Sequence, residues 1–248
     1  MTESPLTVRP ERRTELAAGL ARVRSRIADA CAAAGRSPDS VTLVAVTKTY
    51  PAVDVLALAE LGVRDVGENR DQEAAPKAAA VAAAGAAPRW HFIGQLQRNK
   101  ARSVVRYADV VQSVDSVRLA AALGTAATAV RDRPLDVLVQ VSIDGDAARG
   151  GALPGLADPD RGLDPVAAAV AGADGLRLAG LMAVAPLGWE PDRAFARLAE
   201  VAGRLRGDHP GATVLSAGMS GDLESAVAHG ATHVRVGSAL LGMRPTLG

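Results

Sequence analysis

The run Val41-Thr42-Leu43-Val44-Ala45-Val46-Thr47-Lys48 sets the terms for the whole chain. An unbroken apolar and β-branched run of this length reads as a strand buried on both faces, and such strands belong to parallel sheets covered by helices. Thr49, Tyr50 and Pro51 break the run, so Lys48 falls where the strand surfaces at its C-terminal end. Lysine is scarce: Lys48, Lys77 and Lys100 are the only three among 28 basic residues, the rest being arginine. An amine can lose its proton and attack a carbonyl, which a guanidinium cannot, so a lysine here admits a chemical reading. It equally admits a plain one, a strand-end lysine carrying its charge to water.

Outward from that strand, apolar runs alternate with amphipathic ones. Strands are predicted at 41–47, 63–66, 89–93, 109–113, 135–142, 176–183, 213–216 and 233–236, each followed by a helix or helical turn. The clearest helices are 11–34, where Leu16, Leu20, Val23, Ile27 and Cys31 recur at three- and four-residue steps, and 192–205, with Phe195, Leu198, Val201 and Leu205 as its stripe. Leu96 to Tyr107 reads as helical, and Asn69 with Gln72 has capping-box spacing before an alanine-rich helix over 70–84. After the fifth strand the rhythm pauses. Residues 144–162 are rich in glycine, proline and aspartate, and so long a loop in a compact domain reads as a mobile flap on the ligand side. Eight β/α units with no dividing linker predict an α/β fold: a single (β/α)8 TIM barrel over residues 1–248, with an extra N-terminal helix and residues 1–10 flexible. An open doubly wound sheet often carries a glycine-rich loop after its first strand, and Thr47-Lys48-Thr49-Tyr50-Pro51 has none.

Composition narrows the partners. With 48% hydrophobic residues and only 2% aromatics, the core is aliphatic. The formal charge of +1 argues against a general nucleic-acid binder, which needs a basic face. One cysteine, Cys31, rules out an intrachain disulfide and sits at an apolar helical position. No signal peptide is visible in the polar start, and the apolar stretch at 78–87 is too short to span a membrane, so a soluble, cytoplasmic, monomeric protein is expected.

In a barrel the C-terminal ends of all strands meet on one face, and the loops leaving them build the site. The informative residues cluster there: Lys48 after strand one, Gly67-Glu68-Asn69 after strand two, His91 to Gln95 at strand three, Ser216 to Gly221 after strand seven, and Arg235 to Ser238 at strand eight. Phosphate in such barrels commonly lies at the loops after strands seven and eight. Ser220 with Gly221, and Gly237 with Ser238, are predicted to open helices there and to offer amides and hydroxyls to an anion, although glycine and serine also cap helices everywhere. Lysine and phosphate on one face suit either a Schiff-base lyase of a sugar phosphate or a protein holding pyridoxal 5'-phosphate (PLP).

Several motifs then point one way. Ala45-Val46-Thr47-Lys48-Thr49, Gly67-Glu68-Asn69 with Gln72-Glu73, Trp90-His91-Phe92-Ile93-Gly94 with Leu96-Gln97 and Asn99-Lys100, Ser216 to Ser220 with Asp222, and Arg235-Val236-Gly237-Ser238 resemble the pyridoxal phosphate homeostasis proteins, over residues 11–242. The resemblance implies a barrel like the N-terminal domain of alanine racemase, with PLP held by Lys48 as a Schiff base. It places Ser220, Gly237 and Ser238 at the phosphate, Arg235 at the pyridine nitrogen and Asn69 near the ring. Ala217, and Leu241 before Gly242, stand where the family commonly has methionine and an aromatic, and 142–151 is looser than its pattern, so no functional residue is carried over from that segment.

The related racemases carry a second domain whose tyrosine is the opposing acid/base; this chain is expected to lack it. Tyr107 reads as helical and distant, and Tyr50 stands on the lysine's own loop, on the wrong side for two-base transfer. His91 reads as an interior histidine with a satisfied partner, and no histidine has metal-ligand spacing. The expected role is a PLP carrier that acts in PLP homeostasis and hands the cofactor to apo-enzymes, with a weak PLP-dependent amino-acid racemase as the alternative.

Overall fold

The computed structural model describes residues 6–242. Eight strands carry it: β1 (Thr42–Val46), β2 (Asp65–Glu68), β3 (Arg89–Phe92), β4 (Val110–Val114), β5 (Leu135–Gln140), β6 (Leu176–Met182), β7 (Val214–Ser216) and β8 (His233–Val236). They close in chain order into one parallel barrel, and β8 returns to β1 with Val44 opposite Arg235 and Ala45 opposite Val236. Helix α1 (Pro10–Ala33) precedes β1. The crossovers are α2 (Ala52–Glu60), α3 (Asp71–Ala83), α4 (Ala101–Val104), α5 (Val117–Thr128), α6 (Leu163–Ala171), α7 (Pro191–Asp208) and α8 (Leu223–Ala228), and α9 (Ser238–Leu241) follows β8. Of the segment expected to be flexible, residues 1–5 lie outside the described residues and Pro10 already belongs to α1.

Three local expectations are corrected. The capping box does not form: Arg70 is the N-cap of α3, with no side-chain cap bond. Leu96 to Tyr107 is not one helix but a 3-10 turn (Arg98–Lys100) followed by α4. Arg131 ends it by donating from Nη1 to the carbonyls of Val105 and Ala108, both at 2.9 Å. Nor is 144–162 built as a free flap. Ala152 donates to the Gln140 carbonyl at 2.7 Å, Ser142 to that of Ala152 at 3.0 Å, and Leu163 to that of Leu153 at 3.1 Å. Gly151, Ala152 and Leu153 are buried, so opening this segment exposes apolar surface and breaks backbone pairing. Gly151 permits the tight path: its φ is +104° and an added Cβ would lie 2.6 Å from the Ser142 nitrogen.

The apolar mass lies outside the barrel wall, between strands and helices. Leu16, Leu20, Val23, Ile27 and Cys31 of α1 pack with Ala45, Val66, Val234 and Leu240. A larger cluster runs under α5, α6 and α7 and holds Leu123, Val170 and Phe195. Inside the barrel a small apolar group, Val110, Leu138 and Met182, and the buried Val44 and Val46 share the interior with polar side chains. His233 belongs to this interior, its ring centroid 6.1 Å from that of His91.

Two predictions follow from this packing. α1 crosses α9 at Gly19, where a Cβ would stand 2.2 Å from the Leu240 carbonyl oxygen. Gly19→Ala is expected to force the helices apart and cost about 1–3 kcal/mol in urea unfolding; an unchanged midpoint would show that the crossing has slack. Burial pulls the His233 imidazole from its ordinary value of 6.5 down to about 4. Between those values the unfolded chain binds the proton and the native one does not, so stability present above pH 6.5 is lost as pH falls towards 4. The loss is expected to reach about 3 kcal/mol, read from urea midpoints across that range, and His233→Gln should flatten it.

Candidate functional site

On the C-terminal face, β1, β7 and β8 and the loops that leave them enclose a cleft of about 600 Å³. Its lining includes Lys48, Tyr50, Met219, Ser220, Arg235 and Ser238, with the backbone of Gly221 and Gly237 and the side chains of Val46 and Ile93. Two of these residues are cations and none is a carboxylate. The expected Lys48, Ser220, Arg235, Gly237 and Ser238 thus meet in one place. Asn69 does not join the lining; it follows β2, where Gly94 packs so closely that a Cβ would lie 2.1 Å from its carbonyl oxygen, and its Oδ1 is buried without a partner.

The structure separates the lysines. Lys77 lies outside the barrel wall, donating to Glu68 Oε1 at 2.6 Å and to the Thr47 carbonyl at 2.9 Å. Thr47 Oγ1 also donates to Glu68 Oε1, at 2.6 Å. Glu68, expected among the mouth residues, therefore faces this ion pair. It is fully buried, and desolvation raises its carboxyl above the ordinary range despite the lysine. Lys100 ends the 3-10 turn after β3. Lys48 is left half-buried in the cleft, and among the described residues its amine has no hydrogen-bond or ion-pair partner. The backbone turns sharply just after it: Thr49 has φ +69°, which strains a β-branched residue, and its amide donates to Glu73 at 3.2 Å.

Ser220 and Gly221 do not open a helix. They lie in a turn before Asp222, the N-cap of α8, whose carboxylate accepts from the Met219 amide at 2.6 Å. Gly237 is the N-cap of α9 and Ser238 its first residue. The hydroxyls of Ser220 and Ser238 have no protein partner among the described residues. α1 braces both loops. Arg26 donates to the Ser220 carbonyl at 2.9 Å and forks onto Glu224 at 2.7 and 2.9 Å. Arg12 donates to the Leu241 carbonyl at 3.1 Å and forks onto Asp54 at 3.2 and 2.8 Å. Tyr50, also in the lining, donates its hydroxyl to the Gly242 carbonyl at 2.7 Å.

Arg235 is buried, and its Nη atoms donate inward: to the Ser216 carbonyl at 2.9 Å, to Ser216 Oγ at 2.8 Å and to the Ala183 carbonyl at 2.9 Å. Desolvation lowers its guanidinium to about 10. His91 lies deeper, between Gln112 and Asp65, both at 2.8 Å. Sequence reasoning did not single out Gln112, although a glutamine inside the apolar strand Val110–Val114 is the signal that was there to use.

Comparison with known proteins accords with this geometry. The alanine racemase N-terminal domain family matches residues 19–245. The pyridoxal phosphate homeostasis protein of Mycobacterium tuberculosis H37Rv is 47% identical, with 96% of each chain covered. PipY of Synechococcus elongatus, solved with PLP bound, is 34% identical with a TM-score of 0.74, over 92% of this chain and 100% of that one. Alanine racemase of Corynebacterium glutamicum, 16% identical with a TM-score of 0.61 over 95% of this chain and 64% of that one, shares the fold. The chain therefore belongs to the alanine racemase N-terminal domain family and, within it, to the pyridoxal phosphate homeostasis proteins.

Proposed function

We propose that this chain holds PLP in the cleft between Lys48 and the loops after β7 and β8, and that it works in PLP homeostasis as a carrier rather than as a dedicated catalyst. One observation carries the reading: two cations and two partnerless hydroxyls line a cleft with no carboxylate, which suits a phosphorylated ligand. When bound, PLP supplies an aldehyde that condenses with a lysine amine and a phosphate that cations and hydroxyls attract. Lys48 offers the amine. Ser220, Ser238 and the backbone at Gly237 hold the phosphate. Arg235 meets the pyridine side, and Asn69 supports the wall from the end of β2. The PLP bound by PipY and the name of the Mycobacterium tuberculosis relative support the ligand.

The lining also favours a carrier. Proton transfer on an amino acid needs an acid/base across from the lysine. The tyrosine of the cleft instead stands beside the lysine in sequence and is committed to the Gly242 carbonyl. His91 is engaged inside the barrel. The carrier acts in the cytoplasm as a monomer and passes PLP to apo-enzymes. No helix among the described residues is long and apolar enough to cross a membrane.

Purified protein mixed with PLP is expected to gain visible absorbance, and borohydride should then fix the pyridoxyl group on Lys48, read by peptide mass. Lys48→Ala should lose both signals; a wild-type protein that takes up no PLP sinks the proposal. Ser220→Ala is expected to weaken PLP retention about tenfold, as for a hydrogen bond to a charged group, and unchanged retention would remove Ser220 from the phosphate. Racemisation of an L-amino acid well above that by free PLP would turn the carrier into an enzyme.

A further inference from the structure

Five polar side chains on five strands form one line through the barrel: Arg235 on β8, Ser216 on β7, Gln112 on β4, His91 on β3 and Asp65 on β2. The first four are buried, with relative exposures of 4%, 0%, 0% and 1%, and Asp65 reaches the opposite mouth. The links are short: Arg235 Nη1 to Ser216 Oγ at 2.8 Å, Ser216 Oγ to Gln112 Oε1 at 2.7 Å, Gln112 Nε2 to His91 Nδ1 at 2.8 Å and His91 Nε2 to Asp65 Oδ1 at 2.8 Å.

With a neutral His91 the members run in one direction. A guanidinium has no acceptor, so Ser216 Oγ must accept from Arg235 and give its own proton onward. Gln112 must then present its carbonyl oxygen to Ser216 and its amide nitrogen to His91. That leaves His91 Nδ1 as the acceptor and puts the ring proton on Nε2, facing Asp65. The far end demands the same order, since an ionised carboxylate only accepts. A flipped Gln112 would turn its amide nitrogen to Ser216 and its oxygen to His91, which would then need a proton on Nδ1 as well as the one facing Asp65, placing a second cation inside the barrel. Among the described residues no carboxylate contacts Arg235; two carbonyls and the Ser216 lone pair meet its charge. With Gln112 taking the hydroxyl proton, the Ser216 lone pairs are left to meet Arg235.

We propose that Ser216, Gln112, His91 and Asp65 are positioning residues for Arg235, a one-way hydrogen-bond chain that links the orientation of the guanidinium at the cofactor cleft to a carboxylate at the opposite mouth of the barrel. The ligand readout of this proposal rests on the PLP site proposed above. The chain itself belongs to the free protein and is tested there.

The first measurement is the imidazole ¹⁵N spectrum of the PLP-free full chain, with histidines assigned by substitution. A neutral His91 ring protonated on Nε2 is expected, and any other protonation pattern at neutral pH would overturn the proposal. The second is PLP affinity in two variants confirmed to be folded by circular dichroism. His91→Leu can neither accept from Gln112 nor donate to Asp65, and should weaken PLP binding about three- to tenfold. His91→Asn keeps an acceptor for Gln112 and should recover most of that loss. Wild-type affinity in His91→Leu, or an equal loss in both variants, would reduce His91 to packing and refute the chain. A wild-type protein that binds no PLP would remove the ligand site while leaving the ¹⁵N result to decide the chain.

Discussion

Closure of β8 onto β1 is the constraint on which the site depends. The register sets Val44 beside Arg235 and Ala45 beside Val236, so the loop that leaves β1 with Lys48 emerges beside the turn of Gly237 and Ser238. Residues nearly two hundred positions apart in sequence thereby share one cleft. An open sheet of the same strands would leave β1 and β8 without this pairing and would not build the cleft. The pairing is also well specified chemically. Val44 and Ala45 are fully buried, and a slip by one residue would turn the outward-packed face of β1 into the polar interior.

That interior is a second organising feature. The mass of apolar burial lies between strands and helices, which frees the barrel axis to carry polar groups. Such groups are tolerated inside a protein only when every donor and acceptor is met. The line from Arg235 to Asp65 meets this condition without a carboxylate at the cleft, leaving that end of the barrel positive. The ion pair of Glu68 and Lys77 sits on the other side of the wall, where it braces the turn at Thr47 and removes one lysine from competition with Lys48.

Much of the frame was legible because strands buried on both faces write themselves as apolar runs and each was followed by a helical period. The residues of the cleft were legible by position, since only strand ends on one face can meet. What escaped was whatever depends on a distant partner. The choice of Lys48 over Lys77 rested on placement, and nothing local in the sequence tells that Lys77 turns to Glu68. Gln112 was not singled out because its partners, Ser216 and His91, lie on other strands. The segment 144–162 was misread because glycine signals a turn whether the turn is loose or, as at Gly151, pressed against another backbone. Asn69 shows the opposite limit: its motif is local, yet the cleft lining does not include it.

The bracing of the two ligand loops by α1 has a bearing on how the protein is made. Arg12 reaches the Leu241 carbonyl across 229 positions, and Arg26 reaches Ser220 across 194. Helix α1 keeps its arginines and its apolar stripe uncovered until β8 and α9 have formed. A partly formed barrel therefore carries an exposed helix face and an incomplete cleft. Helix α1 and the turn after β8 complete each other, so the cleft is finished only once the barrel has closed.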